Sequence, residues 1–144
     1  MSGGTNKTVL VCVTAQPECE RLIRAGRELA DKTGRSLEVL SVQPAELDPA
    51  ERASDLECLY MLSKSVHAGV MIYYNDEPAI VAAAHIKRHG ISHIVTGMPD
   101  GINTGFLDHI HLLAPDIPIS MVAKDSTVYT ISPAVRVKKA SMSR

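Results

Sequence analysis

A chain of 144 residues, 45% apolar and 22% charged, has the composition of one globular domain with a full core. Its formal net charge of −1 gives no electrostatic reason to expect a nucleic acid or a membrane surface as partner, and one Phe with no Trp leaves little to stack on bases. Three cysteines at unrelated spacings make neither a disulfide framework nor a zinc pair, which fits a reducing, cytoplasmic compartment; no signal peptide is expected in residues 1–7, and no apolar run reaches membrane-spanning length.

Thr8 to Val13 is a short continuous apolar run, the pattern of a strand buried on both faces of a parallel sheet, with Cys12 as core filler. Pro17, Glu18 and Glu20 suit the first turn of a helix whose apolar stripe is Leu22, Ala25, Gly26, Leu29 and Ala30 and whose stop is Gly34. Leu37 to Val42 is the second strand, closed by Pro44. Asp48-Pro49-Ala50-Glu51 reads as a helix cap, a first-turn Pro and a capping-box glutamate. The helix that follows carries Leu56, Leu59, Tyr60, Ser63 and Val66 on one face, is ended by Gly69, and leads into a third strand, Val70 to Tyr74. Asn75 or Asp76 is expected to cap a third helix containing Ile80, Ala83, Ala84 and Lys87 and ended by Gly90. Ile91 to Thr96 is the fourth strand, Phe106, Ile110 and Leu113 mark a short helix, and Ile117 to Ala123 is the fifth strand.

This alternation predicts an α/β, three-layer α/β/α sandwich on a parallel sheet with right-handed crossovers. The organisation expected is a flexible N-terminus (1–7), one domain (8–125), and a C-terminal extension (126–144) in which Val128 to Ile131 offers an extra strand before a mobile basic tail. The fifth strand, Ile117 to Ala123, is expected at a sheet edge, where an unpaired apolar strand invites self-association.

The chemistry-bearing stretch is Ile94-Val95-Thr96-Gly97 and the loop after it, with glycines at Gly97, Gly101 and Gly105. In open α/β sheets ligands bind outside the carboxyl ends of the strands. Glycines there let backbone amides approach a phosphate, and a helix start near Gly105 adds partial positive charge. A phosphate-binding G-x-x-x-x-G-K-[ST] loop, a G-x-G-x-x-G after the first strand and a nucleophile elbow are all missing from the sequence. Thr14 at the end of the first strand argues against a phosphoacceptor receiver domain. His85 and His89 sit four apart on a helix, as two metal ligands can, but no Glu or Cys near them in the chain completes a set.

Three blocks resemble the universal stress proteins. They are Val11 to Pro17 followed by Glu20-Arg21-Leu22-Ile23-Arg24; Asp76 to Ile80 with His89 to Gly97; and Ala114-Pro115-Asp116-Ile117-Pro118-Ile119. The first block is most similar to the version found in osmosensing potassium sensor kinases. The resemblance covers roughly Lys7 to Lys124. It implies the adenine nucleotide alpha hydrolase-like fold, a five-stranded parallel sheet in the order 3-2-1-4-5, and a homodimer paired through the last strand, Ile117 to Ala123. Some members bind ATP and others bind no nucleotide; binders place an Asp at the end of the first strand and a glycine pattern G-x2-G-x9-G-[ST] after the fourth. Here Thr14 stands in place of that Asp, the glycines are spaced more closely, and Phe106 follows Gly105 where a hydroxyl would stand. The reading is a non-enzymatic regulatory or stress-response domain with a degenerate nucleotide site, without catalytic or metal-binding residues. Thr14, Val42, Gly97, Gly101 and Gly105 are the expected ligand wall, and a monophosphate fits it better than ATP. The alternatives are a sensor of AMP, ATP or another small anion at the glycine loop, and a module that docks a separate protein partner.

Overall fold

Five consecutive buried residues, Val9 to Val13, form the centre of the molecule as strand β1 (Thr8–Val13). A computed structural model describes residues 8–13, 19–46, 50, 53–98 and 105–132. After β1 come α1 (Cys19–Thr33), β2 (Ser36–Gln43), α2 (Ala53–Ser65), β3 (Gly69–Tyr74), α3 (Pro78–Arg88), β4 (Ile91–Gly97), α4 (Gly105–Leu113), β5 (Ile119–Val122) and β6 (Val128–Ile131). The sheet order is β3-β2-β1-β4-β5-β6, with the first five strands parallel and β6 antiparallel to β5. The expected 3-2-1-4-5 order is therefore present, extended by one strand.

Successive residues of a strand face opposite sides of a sheet, and β1 supplies both cores. Val9 and Val11 pack with Leu37, Val39, Ile23 and Leu59 under α1 and α2. Leu10 and Cys12 pack with Leu40, Ala82, Ile86 and Ile110 under α3 and α4. Burial pushes the Cys12 thiol up to about 12, so it stays protonated and inert. Gly26 seats α1 on the sheet: a Cβ there would overlap Val11 Cγ2 and come within 3.1 Å of Leu37 Cδ1. Arg27 fixes the far side of the same helix by donating to the Val66 carbonyl at 2.8 Å.

Several local expectations are corrected. Gly34 and Gly90 do end their helices in the left-handed region, at φ 68° and 63°, but α2 ends at Ser65 and His67 makes the turn at φ 59°. Gly69 is instead the first residue of β3. Neither Asn75 nor Asp76 caps α3. Asn75 Oδ1 accepts from the Glu77 amide and Asp76 Oδ1 from the Ala45 amide, while Glu77 holds the cap position without a side-chain bond and Pro78 opens the helix. The buried stripe of α3 runs through Ala79, Ala82, Ala83, His85 and Ile86, leaving Ile80 exposed; small alanines let the helix lie close to the sheet. Tyr60 is likewise exposed, with Lys64 Nζ 5.4 Å from its ring centre. The cap read at Asp48, Pro49 and Glu51, the helix start at Pro17 and Glu18, the N-terminal seven residues and the basic tail lie outside the described residues.

The edge expected at Ile117 to Ala123 is also corrected. β5 is internal, paired to β4 on one side and to β6 on the other. The turn between them is locally specified. Ala123 donates to the Thr127 carbonyl at 2.8 Å, Ser126 sits at φ 72°, and Asp125 Oδ1 accepts from the Thr127 amide at 3.0 Å. That bond holds the Asp125 carboxyl below the usual carboxylate range. On the α1 face, His93 Nε2 meets Ser120 Oγ at 2.7 Å and Ser120 Oγ meets Thr130 Oγ1 at 2.9 Å, a polar ladder across β4, β5 and β6. Desolvation, then the Arg35 charge, hold His93 below its ordinary pKa. β6 is the outer strand, with Val128 and Tyr129 each half exposed.

Candidate functional site

The chain crosses from β1 outward through β2 and β3, then returns to place β4 on the other side of β1. This reversal is the topological switch point, where the carboxyl strand ends open a crevice. Three of the five residues expected there are described. Gly97 ends β4, two residues beyond the Val11–Val95 pair. Val42 lies one residue beyond the Val13–Ser41 pair. The two therefore stand at the same end of the sheet, two strands apart, or about 10 Å at normal strand spacing. Gly105 opens α4. Thr14 and Gly101 lie outside the described residues.

The surroundings say what these residues can do. The Val42 side chain is half buried against the α3–α4 core. β2 runs one residue further than expected, to a buried Gln43 whose Nε2 donates to Ser41 Oγ at 2.7 Å. Neither glycine is demanded by packing. A Cβ on Gly97 would make ordinary contact with Leu22 at 3.7 Å, and one on Gly105 would meet nothing within 4 Å among the described residues. Phe106 is half buried on the α3–α4 core, so its position offers no hydroxyl to a ligand. Met98 follows Gly97, exposed, its amide donating to the Val122 carbonyl at 3.0 Å.

A groove of about 550 Å³ lies beside this end, between α1 and the β5–β6 hairpin, lined by Glu20, Arg21, Arg24, Glu28, Val122 and Val128 among others. Arg24 is neutralised by Glu20 at 2.6 Å. Arg21 Nε is buried without a hydrogen-bond partner among the described residues. Two cations and two anions make the groove's charge balance even, so it has no strong preference for an anion. Nothing in the sequence pattern marked it, because its walls come from segments a hundred residues apart.

Solved structures with the same architecture include a universal stress protein from Archaeoglobus fulgidus, 18% identical, covering 81% of this chain and 93% of that one at a TM-score of 0.62. The fold is that of the universal stress proteins. The universal stress protein from Archaeoglobus fulgidus in complex with dAMP matches at 18% identity and a TM-score of 0.58, over 78% of this chain and 94% of that one. A universal stress protein in complex with cAMP matches at 13% identity and a TM-score of 0.56, over 75% of this chain and 90% of that one. No family model and no curated protein matches the sequence. On the universal stress protein architecture β6 is an addition to the five parallel strands that the resemblance implied.

One group of donor side chains was missed by sequence reasoning. His85 and His89 lacked a third partner in the chain around them; the fold brings Glu38 from β2 to them, with one donor atom of each within 4.8 Å of the others. The signal was faint: a lone carboxylate between Leu37 and Val39 in an apolar strand. Among the described residues, no helix is long and apolar enough to cross a membrane.

Proposed function

We propose that this chain is a non-enzymatic, universal stress protein-like regulatory domain whose carboxyl sheet end holds a small adenine nucleotide, a monophosphate in preference to ATP. The observation that carries the reading is the switch point between β1 and β4, flanked by Gly97 and by the open start of α4, on a fold shared with proteins solved with dAMP and cAMP. A phosphate would lie at the first turn of α4, where backbone amides and the helix dipole favour an anion, in the space that Gly105 leaves open among the described residues. Phe106 removes the hydroxyl contact and the short glycine spacing offers few amides, which favours one phosphate over three. The non-enzymatic reading is supported by the residues at this end. Among those described, Val13, Val42, Gln43, Gly97 and Met98 include neither a nucleophile nor a general base.

Thermal unfolding with ATP, ADP, AMP, cAMP and cyclic dinucleotides tests this. A ligand at about a hundred times its dissociation constant adds about 2.7 kcal/mol, a rise of roughly 5–10 °C for a domain of this size. A rise with AMP exceeding that with ATP is expected. A flat response to every nucleotide leaves a degenerate site and a domain acting through protein partners. Specific nucleotide turnover that disappears in Gly101→Trp would overturn the non-enzymatic reading.

The same proposal places self-association at β6. Its free edge carries Val128 and Tyr129, so a second copy would pair there rather than along Ile117 to Ala123. A chain ending at Asp125 is expected to lose its dimer mass in light scattering; an unchanged mass would remove β6 from the assembly.

A further inference from the structure

We propose that Glu38, His85 and His89 form a binding site for a divalent transition-metal ion, with zinc as the best fit. The site lies at the amino end of the sheet, opposite the glycine loop, and does not rest on the nucleotide reading. Glu38 is the third residue of β2 and shares a face with Leu40, the face covered by α3. His85 lies on the buried stripe of α3 with 2% exposure, and His89 is the C-cap residue one turn on, exposed.

The distances are those of ligands waiting to converge. His85 Nε2 is 2.8 Å from Glu38 Oε1. The His85 and His89 rings stack at 4.1 Å with 15° between their planes. The other nitrogen of His85, Nδ1, faces Tyr73 Oη at 3.5 Å. A histidine that ligates a metal usually has its second nitrogen oriented by a hydrogen-bond acceptor, which fixes the tautomer; Tyr73 Oη stands in that position. That leaves Nε2, the nitrogen facing Glu38 Oε1, as the ligand atom, and any proton the ligands carry is released to solvent when a metal binds.

Two imidazoles and one carboxylate suit zinc, with a fourth position open to water. One carboxylate and two neutral imidazoles give a single negative charge toward the cation. Zinc bonds of about 2.0–2.1 Å in a tetrahedral site put ligand atoms roughly 3.3 Å apart. The Glu38–His85 pair must therefore open by about half an ångström, which a half-buried glutamate can do. The nearly parallel rings require His89 to turn about its side-chain torsions, which its exposure permits.

The test uses the full chain without a polyhistidine tag, stripped with a chelator and titrated with Zn2+ by calorimetry and with Co2+ by visible absorption. One Zn2+ per chain and tetrahedral Co2+ bands are expected. His89→Gln, at an exposed position, and Glu38→Gln should each weaken Zn2+ binding at least about tenfold, the low end of what losing a partner around a bound metal costs. His109→Gln should leave it unchanged. Zn2+ bound equally well by wild type and His89→Gln, or lost in His109→Gln, would overturn the site, as would the absence of saturable binding. Glu38 and His85 would then be a hydrogen-bonded pair that ties α3 to β2.

Discussion

The two ends of one sheet carry different kinds of chemistry. At the carboxyl end the described walls are Val42, Gln43, Gly97 and the start of α4, and what they offer a ligand is space and backbone amides. At the amino end three ionisable side chains from β2 and α3 meet within 4.8 Å. A backbone site depends on topology and on the lack of a Cβ; it survives most substitutions that keep the glycines. A side-chain site depends on a few atoms and fails when one is removed. The first kind can be anticipated from where strands end, the second only from which helix lies over which strand.

The largest effect expected is additive. The two proposed sites lie at opposite ends without shared partners, so the free energies of Zn2+ and AMP binding should sum; each ligand alone should raise the unfolding midpoint by roughly 5–10 °C near saturation, and together they should raise it by the total. A combined rise no larger than either alone would mean that both ligands use one site. Next, Gly105→Leu should abolish the AMP response and leave the Zn2+ response intact. The variant is expected to fold, since a Cβ there meets nothing within 4 Å among the described residues. If Gly105→Leu keeps the AMP shift, the phosphate does not lie at α4. Gly26→Ala should act on both ends equally, since it disturbs the seat of α1 on Val11. Overpacking of this kind costs about 1–3 kcal/mol, a fall of roughly 3–10 °C with both ligand responses retained.

The smallest effect concerns neither end but the polar ladder beside them. The His93 pKa is lowered in the folded chain, so the unfolded chain binds the proton first. Its contribution to stability is therefore complete above the ordinary histidine value of about 6.5 and declines as pH falls below it. His93→Gln should flatten the fall in unfolding midpoint between about pH 6.5 and 5. An unchanged pH slope would assign that fall to other groups.

Much of the fold was legible because each signal was local. The apolar runs at Thr8 to Val13 and Ile91 to Thr96 and the stops at Gly34 and Gly90 act through their own φ/ψ preferences and nearest neighbours. The errors arose where a neighbour in space decided. Gly69 looked like a helix stop until β2 claimed it as a strand residue beside Glu38. Asn75 and Asp76 looked like helix caps until the Glu77 and Ala45 amides claimed their side chains. β5 looked like an edge until β6 folded back on it.

The candidate sites divide in the same way. The positions of Gly97 at the end of β4 and Gly105 at the start of α4 were legible because a glycine after a strand or before a helix is a local mark in the chain. The Glu38–His85–His89 group was not, because Glu38 and His85 are 47 residues apart. Periodicity and turn chemistry, which act over a few residues, were enough for the sequence alone to determine the alternation of strands and helices, the doubly covered β1 and the glycine-marked carboxyl end. The sequence also offered Val128 to Ile131 as a strand, but its antiparallel pairing onto β5, the seating of α1 on Gly26 and the meeting of a β2 carboxylate with His85 and His89 were decided only by the tertiary structure, because contacts between distant segments depend on packing that no local pattern encodes.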